Sequence, residues 1–206
     1  MIDNIEQIKR LLNFTDEGDF YMLYVLKRKK DQPEGERDNH QSVRTIKSYC
    51  VSSFEYLEKR YDEIKQLCEM FKARAYIHVQ KQNHKDVSLN MMVALAQRIQ
   101  DGNHKQQGLF DSVVGQLKTH EKRWIVDIDT KSLSVRNRII NIIENIKPMG
   151  VDSKIEEIIQ TKNGVHLITK KFDILEFNKK MEVGNKTIPD IQKKNPTLLY
   201  YPESLG

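Results

Sequence analysis

The sequence predicts an α/β (α+β) protein in which an N-terminal mixed α/β module, residues 1–120, packs on a C-terminal βαββαβ unit, residues 121–206, around one shared core. Three observations carry this. Apolar residues recur at helical spacing in several segments, most clearly over 54–71 and 135–146. Between them lie short runs dense in β-branched and aromatic residues, bounded by turn formers. No internal repeat, low-complexity stretch or break in composition separates the two halves.

Residues 5–12 read as a first helix and 20–26 as a strand. A polar stretch over 27–39, with Pro33 and Gly35, reads as a loop, and 43–51 as the strand that closes the hairpin. In 54–71, Leu57, Tyr61, Ile64, Leu67 and Phe71 fall on one helical face, with Ser53 placed to cap it. The segment 73–80 alternates: Ala75, Ile77 and Val79 face one way, Arg74, Tyr76 and His78 the other. Helices over 88–99 and 109–117 flank a polar stretch at 100–107. The second half begins with a strand over 123–129. A helix over 135–146 follows, with Ile139, Ile142, Ile143 and Ile146 on one stripe, and Pro148 and Gly150 end it. Strands over 155–161 and 165–172 flank the turn Lys162-Asn163-Gly164. Asp173 caps a short helix to Met181, and 197–201 is the final strand, between Pro196 and Pro202. This is a ferredoxin-like (RRM-like) order, whose first and third strands lie side by side at the sheet centre.

Composition narrows the classes. With 34 basic and 29 acidic residues the net charge is +5, which suits a polyanionic partner but is weak evidence by itself. Cys50 and Cys68 are the only cysteines, so neither a disulfide framework nor a cysteine-rich zinc site is expected; both read as core thiols in a reducing compartment. The N-terminus has neither a basic nor an apolar leader region, and no apolar run approaches the ~20 residues that span a bilayer. The expectation is a cytoplasmic protein with no membrane partner.

Two clusters carry chemistry. In Trp124-Ile-Val-Asp-Ile-Asp129, residues two apart share a face, so Trp124, Val126 and Ile128 meet the covering helices while Asp127 and Asp129 project together from the other side. Paired carboxylates repel unless a cation sits between them, and a hard divalent ion such as Mg2+ takes one or two carboxylates plus substrate phosphates. An Asp-x-Asp pair also occurs at ordinary surface strand ends, in glycosyltransferases and in nucleases. What raises it here is its place at the end of a very apolar strand. The second cluster is Thr161-Lys-Asn-Gly-Val-His166. Gly164 permits a left-handed turn and a close approach of backbone to a ligand. His166, on the strand beside the aspartates, is expected with its ring exposed across from them, and Lys162, Lys170 and Lys171 add positive charge. The bland alternative is an ordinary turn followed by a partly buried histidine.

A strand ending in Asp-x-Asp, a crossover helix, then a hairpin whose second strand opens small-x-His resembles the first two motifs of the archaeo-eukaryotic primase superfamily. That family includes replicative primase small subunits, primase-polymerases and the polymerase domains of bacterial end-joining ligases. The separation of 37 residues from Asp129 to His166 suits it, and the likeness covers the last 85 residues or so. The resemblance implies a palm in which Asp127 and Asp129 bind catalytic Mg2+ or Mn2+ and His166 contacts a nucleoside triphosphate. It implies a DNA or RNA primer-template as partner, with other replication proteins possible. The family's third motif is a further metal-binding acid on a later strand. Asp190 is favoured for it over Asp173, which reads better as a helix cap. Lys27, Arg28, Lys29 and Lys30 form a basic run able to track a phosphate backbone or simply to be solvated. Arg74 and Tyr76, with His78, contact nucleic acid if their sheet continues the palm, and are boundary residues if a helix covers them. His84, His104 and His120 read as solvent-exposed. Three functions stay open: a nucleotidyltransferase, a non-catalytic nucleotide- or nucleic-acid-binding relative, and a metal-dependent nuclease.

Overall fold

Strand formation follows the β-branched and aromatic runs, and two antiparallel sheets result. The computed structural model describes residues 1–32, 43–117, 122–150, 152–182 and 188–205. A short strand, β1 (Ile2–Asp3), leads into helix α1 (Ile5–Leu11). Strands β2 (Asp19–Arg28) and β3 (Val43–Val51) pair as the expected hairpin, with a register shift between Val25 and Leu26. Helix α2 (Phe54–Phe71) starts where Ser53 accepts a hydrogen bond from the Tyr56 backbone N–H, and ends at Lys72, which takes a left-handed φ of 47°. Then come β4 (Arg74–Ile77), β5 (Gln82–Asn83), α3 (His84–Gln100) and α4 (Leu109–Gln116). Helix α3 begins four residues before the apolar pattern does, because the Asn83 side chain caps the Lys85 N–H.

The second half runs β6 (Trp124–Ile128), α5 (Leu133–Glu144), β7 (Ile155–Gln160), β8 (Val165–Thr169), α6 (Ile174–Glu182), β9 (Asp190–Gln192) and β10 (Thr197–Tyr201). Asp173 caps α6 as expected, accepting from the Glu176 N–H at 3.0 Å.

The larger sheet has the order β1-β10-β4-β2-β3, with β5 also on β2; the smaller has the order β7-β8-β6-β9. One expectation is therefore corrected. Residues 197–201 do not complete the C-terminal unit but insert between β1 and β4 of the larger sheet. The physical reason lies in the side chains. All five residues of β10 are buried, so the strand needs cover on both faces and partners on both edges. The edge of the smaller sheet is taken instead by three-residue β9, short and partly exposed, as suits an edge. The boundary near residue 120 is thus crossed twice, since the last strand returns to the first module.

The core runs through both sheets. Helices α5 and α6 cover one face of the smaller sheet, packing Ile139, Ile143 and Phe177 on Trp124, Val126 and Ile128. From its other face, Ile125, Ile159 and Ile168 join the cluster that holds Leu57, Ile64 and Cys68 of α2 and Leu23 and Ile77 of the larger sheet. Helices α3 and α4 pack on Phe20 and Met22. Both cysteines are free, Cys68 buried and Cys50 half-buried. Among the described residues no helix is long and apolar enough to cross a membrane.

Asn4 fastens the two sheets. Fully buried between β1 and α1, it sends its backbone N–H to the Leu199 carbonyl at 2.9 Å. Its side-chain amide donates to the carbonyls of Gln160 (3.0 Å) and Leu198 (3.1 Å), and its Oδ1 accepts from the Gln160 N–H at 3.1 Å. Replacing it removes a partner from the buried Leu198 carbonyl of β10 and from the part-buried backbone of Gln160 in β7. Asn4→Ala is expected to cost about 2–3 kcal/mol, read as a lower urea midpoint; an unchanged midpoint would show that the clamp contributes nothing.

Candidate functional site between the two sheets

The site starts from the register of β6 on β8. Asp127 stands directly opposite His166, and directly opposed residues share a sheet face. Trp124, Val126 and Ile128 take the helix-covered face, so Asp127 and His166 point towards the larger sheet. Asp127 is half-buried; Asp129, one residue beyond the strand, is exposed. His166 Nε2 lies 3.5 Å from Asp127 Oδ1. Its Nδ1 lies 2.9 Å from the Thr197 hydroxyl, at the start of β10.

The ring of His166 is not exposed, contrary to expectation: the residue is 8% accessible. The face is as expected, but the larger sheet, completed by β10, covers it. Burial pushes the His166 pKa down to about 4; Arg28 adds to the shift and Asp129 opposes it. The ring is neutral at pH 7.

Gly164 also differs from expectation. It does not adopt a left-handed backbone, and what it approaches closely is protein. A Cβ there would lie 1.8 Å from the Ile128 carbonyl oxygen and 2.7 Å from the Thr130 nitrogen. The turn before β8 is closed by Thr161, whose hydroxyl accepts from the Gly164 N–H at 3.1 Å. Glycine is needed because the turn presses on the backbone that flanks Asp129.

Asp127, Asp129 and His166 open into a cleft of about 310 Å³. Its other wall comes from the larger sheet: Leu26, Arg28, Val43, Arg74, Tyr76 and Leu198. Thr161, Lys162, Asn163, Gln192, Asn195 and Pro196 line the rest. Arg74 is buried, ion-paired to Asp31 Oδ1 and stacked 4.8 Å above the Tyr201 ring. Among the described residues, its Nε and Asp31 Oδ2 have no hydrogen-bond partner. Lys162 Nζ donates to the Leu205 carbonyl at 3.2 Å and sits 5.4 Å from the Tyr201 ring. Asp190 stands in register opposite Asp127, on the same face, but is exposed. The Gln192 amide nitrogen lies between the two, 2.9 Å from Asp190 Oδ2 and 3.5 Å from Asp127 Oδ2.

Other expected residues do not reach the cleft. Lys170 is exposed just past the far end of β8, roughly 13 Å along the strand from His166 at about 3.3 Å per residue. It and Lys171 are neighbours of the histidine in sequence only. Of the run 27–30, Arg28 lines the cleft and Lys27 and Lys29 do not. The side chain of Lys30 lies outside the described residues. Arg74 and Tyr76 share a cleft wall, but their alternate His78 belongs to a separate small cavity beside Tyr24 and Asp111. Burial pushes the His78 pKa down to about 4. His84 is exposed and stacks on Phe20 at 4.2 Å, His104 is exposed, and His120 lies outside the described residues. Thr197, Gln192 and Asp31 were not anticipated. Asp190-Ile-Gln192 carries a period-two polar signal that reads as a strand face once the segment is seen to pair; nothing local marks Thr197 or Asp31.

Asp127 and Asp129 fit a hard divalent ion in donor type, being oxygen ligands on one cleft. Among the described residues no three or more His, Cys, Asp or Glu side chains gather as a metal site, so such an ion needs water or phosphate oxygens to complete its shell. No family model, curated protein or solved structure matches the chain.

Two outcomes are expected. Gly164→Ala forces the turn off the β6 end and should cost at least about 3 kcal/mol in chemical denaturation; wild-type stability would mean that the turn does not abut Ile128. A histidine whose native pKa lies below its usual 6.5 contributes stability that is complete above 6.5 and is lost as pH falls towards about 4. His78→Gln should therefore lose up to about 2.5 kcal/mol less than wild type between pH 7 and pH 4.5. Parallel pH profiles from urea unfolding would refute this.

Proposed function

We propose that the cleft is the catalytic centre of a metal-dependent nucleotidyltransferase of archaeo-eukaryotic primase type. The reaction is transfer of NMP or dNMP from a nucleoside triphosphate to a nucleic-acid 3′-hydroxyl, with release of pyrophosphate. One observation carries the proposal. Two carboxylates and a histidine, remote in sequence, face one cleft whose opposite wall holds Arg28 and Arg74. The order β7-β8-β6-β9, with the aspartate and histidine strands central, supports reading the smaller sheet as a ferredoxin-like palm.

On this reading Asp127 and Asp129 would hold Mg2+ or Mn2+, which would supply positive charge to offset that of the phosphates. Asp190 stands where a third carboxylate would serve. Neutral His166 offers an N–H to the triphosphate, and Arg28 and Lys162 oppose its charge. Gly164 lets the turn sit against the backbone that flanks Asp129. The protein contributes alignment and electrostatic stabilisation.

A second reading, a nucleotide-binding relative without turnover, is favoured by the His166–Asp127 contact and by the Gln192 amide between Asp127 and Asp190. A nuclease would use the same carboxylates to opposite effect. Incubation with a primer-template, labelled nucleotide and Mg2+ or Mn2+ separates the three as extension, no reaction or degradation. Extension is expected, and Asp127→Asn should reduce it by about a hundredfold or more, as loss of a group needed in the transition state does. His166→Ala should weaken triphosphate binding roughly ten- to a hundredfold, the value of one charge-assisted hydrogen bond, while Mn2+ binding persists. A wild-type protein that binds neither Mn2+ nor triphosphate in calorimetry would end this reading.

A further inference from the structure

The two ring nitrogens of His166 are addressed from different sheets. Nε2 faces Asp127 Oδ1 at 3.5 Å within the smaller sheet; Nδ1 meets Thr197 Oγ1 at 2.9 Å from the larger one. Thr197 is fully buried and His166 nearly so, and a buried polar contact of this length has no water to replace it. A neutral imidazole carries one proton, and the nitrogen without it can only accept. A carboxylate oxygen has only lone pairs to offer, so a bare Nε2 beside Asp127 would set lone pair against lone pair. The proton belongs on Nε2. Nδ1 is then the acceptor, and the threonine hydroxyl, able to rotate, must be the donor.

We propose that Thr197 is a positioning residue for the site: its hydroxyl donates to His166 Nδ1, fixing ring orientation and tautomer so that Nε2–H is presented to the carboxylate side of the cleft as the donor for an anionic oxygen. The identity of that anion as a phosphate rests on the nucleotidyltransferase reading; the tautomer and the hydrogen bond do not. This assignment also links assembly to chemistry. Thr197 is the first residue of β10, so the histidine of the smaller sheet acquires its fixed orientation only when the C-terminal strand has entered the larger one. The second-sphere partner of a histidine commonly sets which nitrogen is free to act.

The test is spectroscopic. Protein labelled with 15N at the imidazole is compared at pH 7 as wild type, Thr197→Val and Thr197→Ser by long-range 1H–15N correlation. Valine keeps the shape and removes the hydroxyl; serine keeps the hydroxyl. Wild type should show His166 protonated at Nε2 with a hydrogen-bonded Nδ1. That Nδ1 signature should shift to a bare lone pair in Thr197→Val and be retained in Thr197→Ser. A proton on Nδ1 in wild type, or an Nδ1 resonance unchanged by Thr197→Val, would overturn the assignment. Should the valine variant not fold, the wild-type and serine spectra still decide it. Calorimetry with inorganic triphosphate and Mn2+ supplies the functional arm. Affinity should fall about tenfold in Thr197→Val and recover in Thr197→Ser, and equal affinity in all three would overturn the positioning role. If wild type binds no triphosphate, the nucleotidyltransferase reading fails while the spectra still decide the role of Thr197.

Discussion

Strand β10 has no face that tolerates water, and most of the molecule is arranged around that fact. Its five residues, Thr197 to Tyr201, are all buried. They pair on both edges between β1 and β4, in the larger sheet rather than the one the chain has just finished building, which lies against them through Thr197 and His166. From there Leu198 and Leu199 offer the carbonyls that Asn4 needs. Leu198 becomes part of the cleft wall, Thr197 meets His166, and Tyr201 lies beneath Arg74 and beside Lys162. The Tyr200 hydroxyl donates to Glu69 at the end of α2. Withdrawn, the strand would take with it the Leu198 part of the cleft wall, the Thr197 partner of His166 and the clamp between the sheets.

The electrostatics of the cleft follow from what is buried and what is not. His166 is held neutral because desolvation, with Arg28, outweighs the pull of the Asp129 carboxylate. Arg74 is kept charged by Asp31, yet the pair engages through one oxygen, and among the described residues Arg74 Nε and Asp31 Oδ2 find no partner. A buried pair this incomplete is poor stabilisation, since desolvation of both ions is only partly offset. Opposite it, Asp127 is half-buried and Asp129 is in solvent, so the two carboxylates differ in how strongly each favours a cation. The cleft thus sets Asp127 and Asp129 on one side against Arg28 and Arg74 on the other, with the His166 ring beside Asp127.

Much of this was legible in local pattern. The alternation in Trp124 to Asp129 separates a helix-facing set from a cleft-facing set, and the structure keeps that division residue for residue. The Ile stripe of α5, the Ser53 and Asp173 caps and the hairpin of β2 with β3 are written in periods and capping residues that need no tertiary information. Gly164 was legible as a position that forbids a side chain, though not in what it approaches. Lys170 shows the opposite failure. Closeness to His166 in sequence suggested closeness in space, but an extended strand carries each successive pair of residues roughly 6–7 Å further away.

The sequence by itself determined the longer helices and strands, though not the short strands β1, β5 and β9, which residues of each long element share a face, and that Asp127 and His166 belong to strands able to lie side by side. Those properties rest on φ/ψ preference, side-chain period and turn chemistry, all acting within a few residues. Only the tertiary structure decided that β10 joins the first sheet and β9 the second, that Thr197 holds His166 and Gln192 lies between two carboxylates, and that His166 is buried. Each of these depends on which surfaces compete for the same cover, and burial is a property of the whole assembly of faces rather than of any segment that contributes one.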